Sequence, residues 1–179
     1  MKLLFTGASG FLGSNVRPLL EGMYGVKTVG LSPKDDYTID IAKEIPVLRE
    51  RYDIVLHVAG KAHSVPKTEA ERQVFFDVNL QGTKNLCTAL ERRRVPRAFI
   101  FISTVAVYGC AYGENITEDH PLDGDTPYAM SKRLAEEYLQ KWCYEHNVIL
   151  GIIRPSLIAG PNPPGNLGCL LYTSDAADE

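Results

Sequence analysis

Lys2-Leu3-Leu4-Phe5-Thr6-Gly7-Ala8-Ser9-Gly10-Phe11-Leu12-Gly13, residues 2–13, reads as a short apolar strand, a turn punctuated by glycines and the opening of a helix. Each glycine has a separate physical task in that order of elements. Gly7 permits the tight turn off the strand, Gly10 lets backbone N–H groups approach a pyrophosphate, and Gly13 allows the helix to pack closely on the strand. The helix N-terminus adds the positive end of its dipole at the same spot. Ser9, Phe11 and Leu12 lie in the same loop and are expected beside the same ligand. The stretch therefore predicts a dinucleotide held at the first strand-to-helix turn of an α/β sheet.

The rest of the chain agrees with that opening. Apolar strand-length runs recur at 2–6, 26–31, 53–58, 98–102 and 148–153, separated by helix-compatible sequence. Parallel strands joined this way cross over right-handedly. The expected product is a Rossmann-type, doubly wound parallel sheet with helices on both faces and a ligand crevice at the carboxyl ends of the strands. Residues 70–94 are expected as one helix, with Val74, Val78, Leu86 and Leu90 at multiples of four and Arg92, Arg93 and Arg94 at its cationic C-terminal end. A second helix over 127–146 places Leu134, Tyr138 and Trp142 on one stripe and Ala135, Leu139 and Cys143 beside it, as core. Pro18 is a misfit inside the first helix and predicts a kink there.

Composition narrows the partners. The chain has 179 residues, 45% hydrophobic and 23% charged, with a formal net charge of -3 and a pI near 5.8. That balance gives no general attraction to nucleic acid or to an anionic membrane face, so a small-molecule partner is expected. The apolar runs are strand-length and the N-terminal one is interrupted early by glycines, which predicts neither membrane insertion nor a signal peptide, and a cytoplasmic location. Cys87, Cys110, Cys143 and Cys169 show no CxxC spacing, so neither zinc nor a disulfide framework is indicated. His57 reads as a satisfied strand residue, His63 as a residue at the substrate mouth, and His120 and His146 as surface residues; no metal site is expected. Residues 169–179 follow no structural period, and their string reads as the translation of a transposase-end sequencing adapter. The native domain is accordingly expected over residues 1–168, within a gene that continued further.

Two constellations carry the chemistry. At the end of the second strand stands Leu31-Ser32-Pro33-Lys34, with no acid for an adenosine 2'-hydroxyl. Ser32 and Lys34 are able to accept a 2'-phosphate, which tilts the expectation toward NADP while leaving NAD open. Asp40 and Ile41 are expected to bracket the adenine, and Asp35 and Asp36 to be turn residues. The second constellation begins with Tyr128-Ala129-Met130-Ser131-Lys132, which puts a phenol and an ammonium on one helical face. A neighbouring Lys⁺ favours the phenolate and brings it toward a useful acid/base range. Lys132 also suits the nicotinamide ribose. Upstream, the buried strand 99–102 ends in Ser103-Thr104, and a hydroxyl at such a strand end can hydrogen-bond a reacting oxygen. One of the two is expected to cap the strand end instead.

TGASGFLG (6–13), Asp40-Ile41, HVAG (57–60), VNLQGT (78–83), STVAVYG (103–109), YAMSK (128–132) and RPSLIAGP (154–161) together resemble an extended short-chain dehydrogenase/reductase of the NAD(P)-dependent epimerase/dehydratase group. The resemblance implies catalysis by Thr104, Tyr128 and Lys132 on a nucleotide-linked sugar, with Ala59, Gly60 and Lys61 at the cofactor crevice, Asn79 steadying the strands or the site, and Pro155 near the nicotinamide. It also implies that the small C-terminal substrate domain is largely missing. Pairing of the family's dimerising helices into a homodimer stays open. Sugar dehydratases of the group carry an acidic pair after the catalytic threonine, where this chain has Val105 and Ala106. That departure argues for an epimerase or a 4-keto reductase. Leu157 stands where many relatives carry a substrate-binding Asn. Lys61-Ala62-His63 and Gly165-Asn166 are similar to enzymes acting on N-acetylated amino sugars carried on UDP or a lipid diphosphate.

Overall fold

A computed structural model describes residues 1–62, 64–110 and 112–161. His63, Gly165-Asn166, Cys169 and the string 169–179 lie outside the described residues. The strands are β1 (Lys2–Thr6), β2 (Gly25–Gly30), β3 (Tyr37–Thr38), β4 (Ile54–His57), β5 (Ala98–Ile102) and β6 (Ile149–Ile153). They form one sheet in the order β3-β2-β1-β4-β5-β6, and every pairing is parallel. The order reverses between β1 and β4. That switch point is where a doubly wound sheet opens a crevice.

Helix α1 (Phe11–Glu21) follows the glycine turn and keeps Pro18 inside it. Leu3, Phe5 and Ala8 pack toward this helix with Val16 and Leu20. The alternate residue Leu4 faces the larger core on the other side, with Val55, Phe99, Phe101, Leu86, Leu90, Leu139 and Trp142. Burial on both faces is why these strands read as continuous apolar runs. Two expectations change. Residues 39–53 cross from β3 to β4 without a helix: one turn closes on the Asp40 carbonyl through the Lys43 and Glu44 N–H groups, and Ile45-Pro46 then breaks it. The strand β3 was too short to register in the sequence pattern.

The single helix expected over 70–94 is three pieces: α2 (Glu69–Phe76), a π-helical turn (Asp77–Gln81) and α3 (Gly82–Arg93). The π turn inserts an extra residue and shifts the phase. Leu86 and Leu90 are fully buried as the spacing predicts, whereas Val74 lies at the surface. Helix α4 (Pro127–His146) has the signals for its ends in the chain. Thr126 caps it by accepting from the Ala129 N–H, Pro127 occupies the first turn, and Asn147 ends it in the left-handed region at φ 55. Ala135, Leu139, Trp142 and Cys143 are buried on α4, with Tyr138 packed against them.

His57, at the end of β4, is fully buried with both ring nitrogens bonded: Nδ1 lies 2.6 Å from Thr6 Oγ1 and Nε2 lies 2.9 Å from Thr83 Oγ1. Thr83 donates its hydroxyl to the Asn79 carbonyl, so it accepts from Nε2–H, and Nδ1 accepts from Thr6. Burial, with Lys132 adding to it, pushes the imidazole down to about 3 from an ordinary 6.5. A depressed histidine leaves the unfolded chain binding the extra proton between those values, so the stability it contributes is complete above pH 6.5 and is lost as pH falls toward 3. Urea unfolding at pH 5 is expected to give about 2 kcal/mol less stability than at pH 7 through this group, and His57→Gln should remove that part of the pH dependence.

Candidate active site

A crevice of about 1930 Å³ runs along the carboxyl ends of β1, β4, β5 and β6. Its first wall is the glycine turn. Gly7 sits at φ +75, and a Cβ there would lie 2.5 Å from the Ala59 nitrogen. A Cβ at Gly13 would lie 2.1 Å from the Gly7 carbonyl oxygen. Both positions admit only glycine, because backbone stands where the side chain would go. Gly10 differs: a Cβ there would meet nothing nearer than the Gly7 oxygen at 3.4 Å. Its open side leaves a cradle at the N-terminus of α1, whose first turn holds no acidic residue. An anionic pyrophosphate fits such a cradle by size and by sign of charge.

Ser9, Gly10, Phe11 and Leu12 line the crevice, as do Asp40, Ile41, Ala59, Gly60, Lys61 and Pro155. Three residues expected at the ligand stand off the wall. Gly13 is buried beneath the turn, in keeping with its packing role. Ser32 is displaced from the wall by Gly30 and Leu31, and its hydroxyl accepts from the Lys34 N–H at 3.2 Å. Asn79 lies inside the π turn, 1% exposed. Its Oδ1 accepts from the Lys61 N–H at 2.8 Å, and its Nδ2 donates to the Lys61 carbonyl and to Ser131 Oγ. Ser131 in turn donates to the Tyr128 carbonyl at 2.8 Å. Asn79 thus ties the loop after β4 to the first turn of α4.

The reactive end of the crevice gathers Thr104, Tyr128 and Lys132. Thr104 follows β5 and caps the 3-10 turn Val105–Tyr108 by accepting from the Ala106 N–H at 3.2 Å. Accepting that bond leaves the hydroxyl its capacity to donate. Ser103 Oγ is buried with no hydrogen-bond partner among the described residues. Tyr128 packs beside Phe75, with ring centroids 6.3 Å apart. Lys132 is 4% exposed; its Nζ donates to the Ile102 carbonyl at 2.8 Å and stands over the Phe101 ring at 4.7 Å. Gly60 leaves it room: a Cβ there would lie 2.9 Å from Nζ and 3.1 Å from Asn79 Oδ1, so a larger residue would press on both. Burial pulls the ammonium down to about 8, and the Glu136 carboxylate resists that fall.

Glu136 and Arg154 were not singled out by sequence. Glu136 is fully buried, one helical step beyond Lys132, and takes a two-pronged ion pair from Arg154, Nη2 to Oε2 at 2.6 Å and Nε to Oε1 at 3.1 Å. Arg154 also donates to Tyr108 Oη and to the Glu118 carbonyl. The pair and its hydrogen bonds raise the guanidinium further. A charged residue at a core phase of α4, four and eight positions after Lys132 and Tyr128, was the available signal. Among the described residues no cluster suits a metal ion, and no helix is long and apolar enough to cross a membrane.

Sheet order, glycine turn and crevice define a short-chain dehydrogenase/reductase type of Rossmann protein. The chain belongs to the NAD dependent epimerase/dehydratase family, whose pattern it matches over residues 3–170. It is 32% identical over 177 residues to the N-acetyl-alpha-D-glucosaminyl-diphospho-ditrans,octacis-undecaprenol 4-epimerase of Escherichia coli O157:H7, covering 94% of this chain and 52% of that protein. Among solved structures, RMD from Pseudomonas aeruginosa complexed with NADPH superposes with a TM-score of 0.77 at 27% identity, over 91% of this chain and 56% of that one. The UDP-glucose 4-epimerase of Thermus thermophilus in complex with NAD gives a TM-score of 0.74 at 25% identity, over 92% and 58%. The chain spans about half the length of these relatives.

Glu136→Ala strands the Arg154 guanidinium without its counter-charge. Unfolding of this variant, followed by circular dichroism in urea, is expected to show a loss of about 3–5 kcal/mol. Arg154→Met should cost a similar amount by stranding the carboxylate.

Proposed function

We propose that this chain is the dinucleotide-binding and proton-transferring part of an enzyme that exchanges hydride at a carbon of a nucleotide-linked or diphosphate-linked, N-acetylated sugar. The observation that carries the reading is the convergence of Thr104, Tyr128 and Lys132 on one end of a crevice whose other end is the glycine cradle. A bound nicotinamide dinucleotide would supply the hydride exchange. The chain's own residues do the rest. Ser9, Gly10, Phe11 and Leu12 hold the pyrophosphate, Asp40 and Ile41 flank the adenine, and Ala59, Gly60, Lys61 and Pro155 line the path to the nicotinamide. Tyr128 takes or returns the sugar hydroxyl proton, Thr104 donates to the same oxygen, and the Lys132 ammonium stabilises the phenolate form.

Epimerisation is the favoured outcome. Elimination needs an acid and a base beside the reacting carbons, and the two residues after Thr104 are the apolar Val105 and Ala106, both on the crevice wall. The N-acetylglucosaminyl diphosphate named for the Escherichia coli relative supports the substrate class. A 4-keto-sugar reductase would use the same three residues and consume the reduced cofactor. A dinucleotide sensor without catalysis would have no use for Thr104 and Tyr128 beside Lys132 as a proton relay.

The test uses this chain continued to the length of its relatives, assayed for 4-epimerisation of UDP-GlcNAc and for NADH and NADPH oxidation with UDP-4-keto sugars. Tight dinucleotide binding with neither activity would sink the enzyme reading. Tyr128→Phe is expected to lower turnover by about a thousandfold or more while leaving NADH affinity within a few fold; undiminished turnover refutes its role.

A further inference from the structure

Cys110 and His120 form a nucleophile and base that the proposed hydride chemistry leaves unused. Cys110 stands two residues past the 3-10 turn that Thr104 caps, exposed on the wall of the crevice. Its Sγ lies 3.4 Å from His120 Nε2 and 3.6 Å from the Tyr108 carbonyl oxygen. The thiol therefore has two acceptors within reach, and one of them is a base. The imidazole is held in place from two sides. Its ring meets the Tyr108 ring edge-on with centroids 5.8 Å apart, and its backbone N–H closes a turn on the Thr117 carbonyl. Tyr108 is itself buried and fixed by the Arg154 guanidinium, which donates to its Oη at 2.9 Å. A nucleophile, a base in hydrogen-bond reach and a group that orients the base are the parts of an activated thiol. The other two described cysteines differ: Cys87 and Cys143 are buried, and burial pushes both thiols up, Cys143 to about 11.

We propose that Cys110, with His120 as its base, is a modification site that takes a small uncharged or cationic disulfide from solution. His120 Nε2 accepts the thiol proton, and the Cys110 sulfur attacks one sulfur of the disulfide. The bond between the two reagent sulfurs breaks as the new S–S bond forms. The departing thiolate recovers the proton from the imidazolium and leaves as a thiol, so the Cys110 sulfur is oxidised and the leaving sulfur reduced. The charge preference comes from the wall. Glu118 and Asp119 line the crevice with Cys110, and the guanidinium that reaches the Glu118 carbonyl, Arg154, is already matched by Glu136. An anionic disulfide meets like charge on approach. The step needs no nucleotide in the crevice, and its product is a group standing on the crevice wall beside Tyr108.

The test uses the 179-residue chain with Cys169→Ser, which leaves Cys87, Cys110 and Cys143. The folded protein is incubated at pH 7 with 2-hydroxyethyl disulfide, quenched in acid and followed by intact mass and peptide mapping. One early adduct is expected, on Cys110, with Cys87 and Cys143 slower by about tenfold or more. Oxidised glutathione, which is anionic, should be slower at Cys110 once each reagent is scaled by its rate with free 2-mercaptoethanol. His120→Gln keeps a polar side chain and removes the base, and should slow the Cys110 adduct about tenfold with an unchanged circular dichroism spectrum. First modification at Cys87 or Cys143 overturns the site, and an undiminished rate in folded His120→Gln overturns the role of His120. A scaled rate with oxidised glutathione equal to or above that with 2-hydroxyethyl disulfide overturns the choice of disulfide. Should His120→Gln not fold, Cys110 is compared with 2-mercaptoethanol at the same pH: it is expected to react severalfold faster, and a rate no greater overturns the proposal.

Discussion

A single run of buried hydrogen bonds links the glycine turn to the first turn of α4, and much of the remaining arrangement hangs from it. The Ala59 N–H donates to Thr6 Oγ1, which donates to His57 Nδ1; His57 Nε2 donates to Thr83 Oγ1, which donates to the Asn79 carbonyl. From the same asparagine the amide nitrogen reaches Ser131, and Ser131 reaches the carbonyl of Tyr128. Every donor in the run finds an acceptor with the histidine neutral. Burial holds it neutral, so cause and requirement agree. A run of this kind fixes distances between β1, β4, the π turn and α4 more sharply than apolar packing alone, because each member left unpaired would carry a desolvation cost.

The π turn gains a physical purpose from that run. A regular helix over the same residues would carry Asn79 around with the phase of its neighbours. The inserted residue turns it inward, where it clamps both backbone groups of Lys61. Lys132 and Glu136 show the complementary case of charges kept in the core. The ammonium is held by a carbonyl and an aromatic face, and the carboxylate one helical step on is matched by a two-pronged guanidinium. These groups stabilise little by being there, but removing one partner of the ion pair is costly. The arrangement pins α4 to the end of β6 and to the 3-10 turn that carries Thr104.

Much of the fold was legible in the chain. The glycine spacing, five of the six strands and the ends of α4 follow from steric rules and periodicity that act within a few residues. The same holds for the face shared by Tyr128 and Lys132. The short β3 was not legible, because two residues give no period. Nor was the break in the 70–94 helix, since Val74 and Val78 fit the apolar spacing, yet Val74 lies at the surface and Val78 on the crevice wall. His57 was legible as a satisfied strand residue, although its partners Thr6 and Thr83 were not.

By itself the sequence determined the local geometry: where backbone must turn at positive φ, where a helix must begin, and which side chains share a face. Those choices are made by sterics and capping among neighbours, so linear order contains them. Only the tertiary structure decided which distant groups meet. Asn79 came to Lys61, Glu136 to Arg154, and the carboxylate of Asp35 to the empty side of Gly30. Such pairings arise when folding removes water from polar groups and leaves each to take whichever partner the packed strands bring within reach.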